Sequence, residues 1–312
     1  MKKISCFYID DVIFVMRDLA RMKPESIFDV PLLKVLKKGH DETGVTVQLN
    51  LFYRTDLFYG SDEFTLSDVP DCYKAEFEAN SDWLKFAFHA KQEFPDYPYV
   101  NADYEDLKMD CELVHKEIIR FAGEKSLSHV TCPHWLPVSK EGCRALADCG
   151  IRFISAGTGP TTEYNGDPNT LPYGHSFRLL QNRKPETKLY TRGGKNTAIS
   201  SSICAYNHVD SETFKKLRRS GKAILDKETG IGFCSMGGTV CLNLETMEEL
   251  PSGVDNLFGA EYLGVFNHEE YFYPFYYAYQ PDYAEKFYYT ARRIKEAGYT
   301  FVNADDVFEF ID

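Results

Sequence analysis

The chain has 312 residues, of which 44% are hydrophobic and 26% are charged, so it can bury a substantial core. Its 35 basic and 47 acidic residues give a net charge of −12, and the sequence has no long run of lysine and arginine. Binding to a phosphate backbone or to an anionic lipid surface needs a basic face. We therefore expect no nucleic-acid partner and no membrane partner.

The N-terminus and the cysteines favour a reducing compartment. The first lysines lead straight into a short apolar run that Asp10 and Asp11 interrupt, so no secretory signal is predicted. No apolar stretch reaches the length of a membrane span. The nine cysteines are scattered without a CxxC pair, and Cys6, Cys132 and Cys234 lie inside apolar runs. We expect buried free thiols and a cytoplasmic protein.

Apolar runs of strand length alternate with helical patterns along most of the chain. Strands are predicted at 4–9, 45–52, 84–88, 130–132, 151–156, from 231, at 264–266 and at 299–302. Helices are predicted after Asp11, over 104–121 with a stop at Gly123, over 139–148 with Ser139 as the cap, near 211–221 and from Tyr283. Such alternation is typical of an α/β fold with parallel strands, either open or closed into a barrel.

Between Gly157 and about Asn207 the alternation lapses into a polar stretch rich in Gly, Pro, Thr and Asn. We interpret 157–207 as an irregular, β-rich insertion that folds on the catalytic face rather than as a separate domain. The whole chain, 1–312, is then one domain.

The first predicted strand ends in two adjacent carboxylates, Asp10 and Asp11. Neighbouring carboxylates repel each other, and a bound cation or a proton compensates for that repulsion. One of them would then bind a metal while the other acts as a base. The alternative is that both are turn residues, with Asp11 capping the helix that follows.

Three histidines also follow predicted strands: His89, His134 and His268. Because the carboxyl ends of parallel strands meet on one face, we expect these side chains to share a site with the aspartates. Neutral imidazoles and a carboxylate suit Zn²⁺ or a related ion. Any one of the three could instead be a structural histidine. Glu93 could chelate the same ion if a helix begins after His89; otherwise it is a solvated carboxylate.

These segments resemble the motifs of the polysaccharide deacetylase (NodB-homology) superfamily, in order, over most of the chain. Residues 7–11 are similar to its first motif, an aromatic strand ending in two aspartates, and residues 265–268 are similar to its late strand with a histidine. His89 falls where the His-x-x-x-His motif would begin, but Glu93 stands at the second position. His134 stands where the third motif usually has an arginine.

The resemblance implies a distorted (β/α)7-type barrel that binds a divalent metal and removes acyl groups from sugars. The glycine–proline pair that normally follows the two aspartates is replaced by Val12 and Ile13, which indicates a divergent member. The resemblance also implies a role for each site residue: Asp10 as base, Asp11 and His89 as metal ligands with His134 or Glu93 completing the metal site, and His268 as general acid.

Several residues near the predicted site could contact a substrate. The stretch 271–279 is almost entirely aromatic, and most of it would pack in the core or in a lid, while one or two tyrosines such as Tyr271 face a sugar ring. Trp135, next to His134, is a better single candidate. Arg54 could hold an anionic group, although a surface arginine is the simpler account.

The sequence thus predicts a metal-dependent hydrolase that deacylates a carbohydrate or a related amide or ester. Zn²⁺ is the preferred ion, with Mn²⁺, Ni²⁺ or Co²⁺ as alternatives. A glycoside hydrolase without metal would need two separated acids, whereas Asp10 and Asp11 are adjacent and should point in different directions. A carbohydrate-binding protein without activity is the other alternative, because position 93 lacks the histidine.

Overall fold

Ten strands are present in the part of the chain that the computed structural model describes, namely residues 3–56, 62–93, 98–99, 102–136, 138–156, 223–235 and 238–310. They are β1 (Ile4–Val12), β2 (Val47–Phe52), β3 (Leu84–Ala90), β4 (Val130–Thr131), β5 (Phe153–Ala156), β6 (Ala223–Leu225), β7 (Gly232–Ser235), β8 (Gly238–Cys241), β9 (Tyr262–His268) and β10 (Thr300–Phe301). The predicted insertion at 157–207 and the predicted helix near 211–221 lie outside the described residues.

The strand β1 lies at the centre of the larger sheet, whose order is β3-β2-β1-β9-β8, and β10 pairs with the start of β1. The strand pairs of this sheet are parallel. Every residue of β1 and β2 is buried, as expected for a parallel sheet that is covered on both faces. The α/β fold predicted from the alternating pattern is confirmed.

A smaller sheet has the order β4-β5-β7-β6, in which β6 runs antiparallel to β7. It meets the larger sheet where β4 passes β3. There the amide of Ser128 donates to the carbonyl of Phe86, and the hydroxyl of Thr131 donates to the carbonyl of Phe88. Within the described part of the chain, the strands form these two sheets and not one closed barrel.

A small apolar core lies between the two sheets. On β1, Ile4, Cys6 and Tyr8 belong to this inner core together with Val130 of the smaller sheet, whereas Phe7 and Ile9 pack on the larger core under the helices. Successive side chains of a strand point to opposite faces, so this alternation is the expected one. Asp10 is the next residue in the inward series.

Seven α-helices are described: α1 (Phe14–Met22), α2 (Pro31–Thr43), α3 (Lys74–Ala79), α4 (Tyr104–Ala122), α5 (Lys140–Asp148), α6 (Leu250–Asp255) and α7 (Tyr283–Glu296). As predicted, α4 ends before Gly123, and Ser139 caps α5 by accepting a hydrogen bond from the amide of Gly142. None of the helices in the described residues is long and apolar enough to cross a membrane.

The start of α1 is held by an acid from the distant 3₁₀ turn Glu269–Phe272, which follows β9. The buried carboxylate of Glu269 accepts hydrogen bonds of 2.6–2.7 Å from the amides of residues 13–15. These amides have no partner within a helix, and a helix N-terminus favours negative charge. Burial raises the pKa of Glu269 to about 8, against the opposite pull of the three amides. The alternative in which Asp11 caps α1 is wrong.

We expect Glu269→Gln to lower the free energy of unfolding by about 1–3 kcal/mol, because an amide NH₂ group would replace one of the two oxygens that face the backbone donors. Urea unfolding followed by circular dichroism measures this change. Glu248→Gln, at an exposed position, is the control and should stay within about 0.5 kcal/mol of the parent protein. Equal stability of the two variants would contradict the capping role of Glu269.

Candidate active site

The two adjacent aspartates reach the same site because β1 carries a bulge at its end. Between residues 9 and 12, β1 has one residue more than the paired segment of β2. Asp11 adopts a left-handed backbone conformation there, with φ 61°, which bulges near active sites use to re-aim a side chain. Both carboxylates consequently act on His89. The two carboxylates have different partners: Asp10 Oδ1 accepts from Asn50 Nδ2, whereas Asp11 Oδ1 faces the rings of His89 and His134.

A second register shift, between β2 and β3, falls at His89. Consecutive residues of β2 pair with Phe88 and Ala90, so that His89 is the additional residue on β3. The histidine is buried, and its ring reaches the Asp11 carboxylate. The ends of β1 and β3 therefore each present an ionisable residue at a point where the pairing with β2 is irregular.

Asp11, His89 and His134 bring three potential ligand atoms together. Asp11 Oδ1 lies 3.0 Å from His89 Nε2 and 3.0 Å from His134 Nδ1, and these two ring nitrogens are 3.1 Å apart. All three residues are buried. His134, which follows β4, thus supplies the imidazole that joins Asp11 of β1 and His89 of β3.

Backbone carbonyls determine which nitrogen of each ring carries the proton. His89 Nδ1 donates to the carbonyl of Cys132, and His134 Nε2 donates to the carbonyl of Glu93 at 2.9 Å. Because a carbonyl oxygen can only accept, each neutral ring has its lone pair on the other nitrogen, which is the one that faces Asp11. Three lone pairs therefore meet, and only a proton or a cation makes that arrangement favourable.

The pKa shifts of Asp11, His89 and His134 also indicate a site that favours positive charge. Burial lowers the pKa of each imidazole, but the Asp11 carboxylate outweighs this effect and raises the pKa of His89 and His134 above the usual 6.5. Burial would raise the pKa of Asp11, but His134 and His89 hold it well below its usual range. The site attracts positive charge, whether it comes as protons or as a metal ion.

The residues fit a divalent transition metal. Two imidazole nitrogens and a carboxylate oxygen form a donor set that suits Zn²⁺ and its neighbours, and Asp11, His89 and His134 form a possible site for one ion. Ligand atoms about 2.1 Å from one tetrahedral ion lie about 3.4 Å from each other, which is close to the spacing here. The carbonyl bonds to the opposite ring nitrogens orient the histidines as in known metal sites.

Asp10 is oriented by neutral amides from β2. Asn50 Nδ2 donates to Asp10 Oδ1 at 2.5 Å, and Asn50 Oδ1 accepts from Gln48 Nε2 at 2.7 Å. Asp10 Oδ2 lies 3.9 Å from the thiol of Cys132. Asn50 was not predicted as a site residue. The sequence does contain a clue, because Gln48 and Asn50 are the two polar residues of an otherwise apolar strand and lie on the same face of it.

His268 lies beside Asp10, because the two residues are paired across β1 and β9. Its Nδ1 donates to the side-chain oxygen of Asn243 at 2.9 Å. Its Nε2 is 4.0 Å from Asp11 Oδ2, and its side chain is 29% exposed, whereas that of Asp11 is 3% exposed. His268 is thus the member of the site that is open to solvent. Asn243 gave no signal in the sequence.

Glu93 does not occupy the position that a helix would have given it. The strand β3 ends at Ala90 and residues 91–93 form a bend, so the helical face expected for His89 and Glu93 is wrong. The backbone carbonyl of Glu93 holds His134 instead. The alternative of a solvated carboxylate is also wrong, because Glu93 is buried.

A second group of acids adjoins the first group through Asp11. The carboxylates of Asp11, Glu93 and Glu270 are buried and have oxygens within 4.8 Å of one another. Burial, and then the charges of Asp11 and Glu93, raises the pKa of Glu270 well above its usual value. Glu270 was not predicted as a site residue. The sequence feature that could have indicated Glu270 is the pair of acids directly after His268. Ordinary surface turns contain such pairs as well.

Trp135 is half-buried beside His134, and their ring centroids are 6.0 Å apart. Trp135 and Leu136 have φ of 61° and 75°, a left-handed conformation that costs about 1–3 kcal/mol per residue and occurs mostly at functional sites. A role of Trp135 in substrate binding stays a prediction, now with a strained backbone beside the site as support.

The other two predicted substrate contacts lie in different settings. Tyr271 is buried, with its ring 6.2 Å from that of His268 and 5.1 Å from that of Tyr276. Arg54 is exposed, and its Nε donates to the side chain of Gln92. Both roles stay predictions.

No protein-family model matches the chain, and no curated protein matches it. Solved structures match it over nearly its whole length. The Xyl-CE4 domain of a multidomain xylanase from the hindgut metagenome of Trinervitermes trinervoides is 11% identical, with 99% of this chain and 91% of that domain covered and a TM-score of 0.41. The catalytic domain of a peptidoglycan N-acetylglucosamine deacetylase from Eubacterium rectale is 11% identical, with 97% and 88% covered and a TM-score of 0.40.

A 4-alpha-glucanotransferase from Thermococcus litoralis gives a TM-score of 0.52 at 10% identity. The match covers 99% of this chain and 40% of that protein, so the chain spans less than half of the glucanotransferase. At this identity the likeness shows a shared fold and nothing about activity.

The affinity for metal should fall as the pH falls, starting above pH 6.5, because the pKa of both histidines is raised and protons compete for the same lone pairs. Each displaced proton should weaken Co²⁺ or Zn²⁺ binding by up to about tenfold per pH unit. Calorimetric titration from about pH 8 to about pH 6 measures this.

The exposed His129 provides the control for this titration. His129→Ala should reproduce the parent pH curve, whereas His134→Ala should bind poorly at every pH. An affinity that is the same at both ends of the pH range would contradict the assignment of the two imidazoles as ligands.

Proposed function

We propose that this chain is a metal-dependent hydrolase that removes an acyl group from a carbohydrate or a related amide or ester. The observation that supports it most is the meeting of the Asp11, His89 and His134 lone pairs beside a base and an acid. A divalent cation, with Zn²⁺ as the preferred ion, would supply a Lewis acid for the acyl carbonyl and lower the pKa of water. The cysteines with described side chains are free thiols, which supports a cytoplasmic location.

Asp10 is the general base in this proposal. Its Oδ1 accepts from Asn50, which leaves Oδ2 to take a proton from the attacking water. The amide chain from β2 holds the carboxylate without contributing a positive charge.

His268 is the general acid. Because Nδ1 is held by Asn243, the proton to be transferred sits on Nε2, on the side of Asp11. The partial exposure of His268 allows it to meet the leaving amine or alkoxide of a sugar that enters from solvent, where Trp135 could stack on the ring.

Asp10→Asn should lower kcat by about 10²–10⁴-fold and leave the metal content unchanged, because the variant removes the base and no ligand. Turnover of acetylated amino sugars and elemental analysis of the same preparation measure both effects. Asp41→Asn, on the exposed side of α2, is the control and should keep full activity. Full activity of Asp10→Asn would remove the base assignment.

His268→Gln should slow amides far more than activated aryl esters. An amine must be protonated as it leaves, whereas a phenolate leaves without an acid. The ratio of kcat/KM for the two substrates should change by about 10²-fold or more. Asp10→Asn should slow both substrates equally. An unchanged ratio in His268→Gln would contradict the acid role.

The same assays separate the two alternatives. Sugar binding without turnover, with or without metal, would favour a carbohydrate-binding protein. Activity that survives complete removal of metal would favour a glycoside hydrolase that uses carboxylates. The proposal requires an activity that is lost with a chelator and restored by a divalent cation.

A further inference from the structure

Glu270 is a buried acid without a compensating contact. It is 1% exposed, and neither of its carboxylate oxygens accepts a hydrogen bond from another described residue. Its neighbour Glu269 is equally buried but accepts three backbone amides at the start of α1. Burial of Glu269 thus has a structural reason, and the described contacts provide none for Glu270.

The carboxylate of Glu270 is directed at two other acids. With Asp11 and Glu93 it forms a group whose oxygens lie within 4.8 Å of one another, and all three residues line one small cavity of about 10 Å³. That volume is close to one water-sized sphere. Three buried carboxylates around such a space repel one another strongly unless a positive charge lies between them.

We propose that Asp11, Glu93 and Glu270 form a second cation site, which shares Asp11 with the histidine site and takes an oxygen-preferring divalent cation such as Mn²⁺ or Mg²⁺. Its donors are carboxylate oxygens only, which suit hard cations, whereas two imidazoles favour Zn²⁺ at the first site. His134 borders both donor sets: its Nδ1 lies 3.0 Å from the shared ligand Asp11, and its Nε2 lies 4.0 Å from Glu93 Oε1.

The charge balance supports two ions rather than one. The centre buries four carboxylates, those of Asp10, Asp11, Glu93 and Glu270, together with two imidazoles that are neutral when they bind metal. One divalent ion would leave two of these negative charges uncompensated in the interior. Two divalent ions compensate all four, and a carboxylate shared between neighbouring cations is the common arrangement of two-metal sites.

This inference goes beyond the proposed function and uses only the shared ligand Asp11. A protein that binds sugar without hydrolysing it could hold the second ion equally well. Absence of the second ion would therefore not contradict the hydrolase function, and absence of hydrolysis would not contradict the second ion.

The test is metal stoichiometry, with Zn²⁺ and Mn²⁺ as the probes. Purified protein is stripped with a chelator and dialysed against both ions, and the bound amounts are measured by elemental mass spectrometry. We expect about one Zn²⁺ and about one Mn²⁺ per chain for the parent protein. Glu270→Gln should keep Zn²⁺ and lose at least about tenfold in Mn²⁺ affinity, because it removes a charged ligand but no volume.

Two further variants make the result specific. His89→Ala should lose Zn²⁺ and keep Mn²⁺, since it touches the first site only. Glu117→Gln, a buried acid on α4 that pairs with Arg120, should bind both ions as the parent does. Thermal unfolding without metal checks that Glu270→Gln folds; removal of an uncompensated buried charge should keep or raise its melting temperature.

Mn²⁺ binding that is undiminished in Glu270→Gln would overturn the inference, as would a parent protein that takes one ion in total, whichever ion is offered. In that case Glu270 is a buried protonated acid. A chain that binds both ions without turnover would instead contradict the proposed function alone.

Discussion

The carboxylate of Asp11 is the contact on which the site depends. It faces one histidine on β3, one after β4 and one at the end of β9, and so joins residues that are far apart in the sequence. Neither the carboxylate nor the imidazoles could be buried alone, because each would lose its hydration without compensation. The left-handed backbone at Asp11 is a cost of about 1–3 kcal/mol that this mutual compensation offsets.

The position of the His134 ring depends on the backbone of Glu93. Glu93 lies four residues after His89, beyond the end of β3. In this chain the bend at residues 91–93 turns the Glu93 carbonyl toward His134, and that bond directs His134 Nδ1 at Asp11. Glu93 thus orients the His134 ring through its backbone, while its side chain joins the neighbouring acids.

The strand ends could be predicted from the sequence, and with them the meeting of Asp10, Asp11, His89, His134 and His268. Apolar runs followed by ionisable residues are local features, and parallel topology brings their ends to one face. The sequence could not show that a bend, and not a helix, follows His89. Lys91, Gln92 and Glu93 are residue types that occur in both. The roles of Glu269 and Glu270 could not be predicted for another reason. Which of two adjacent acids accepts hydrogen bonds from backbone amides depends on packing between distant segments. The amide of Ile13, which donates to Glu269, lies 256 residues away in the sequence.

The junction between the two sheets has a further consequence, for the cooperativity of unfolding. The sheets meet where β4 passes β3, through a few hydrogen bonds, and the last of these joins the amide of His134 to the carbonyl of His89. The two residues that hold this end of the junction also supply the two imidazoles of the candidate metal site. An ion bound by both would therefore cross-link the sheets, so that they unfold as one unit, whereas the metal-free chain could open between β3 and β4 before either sheet is lost.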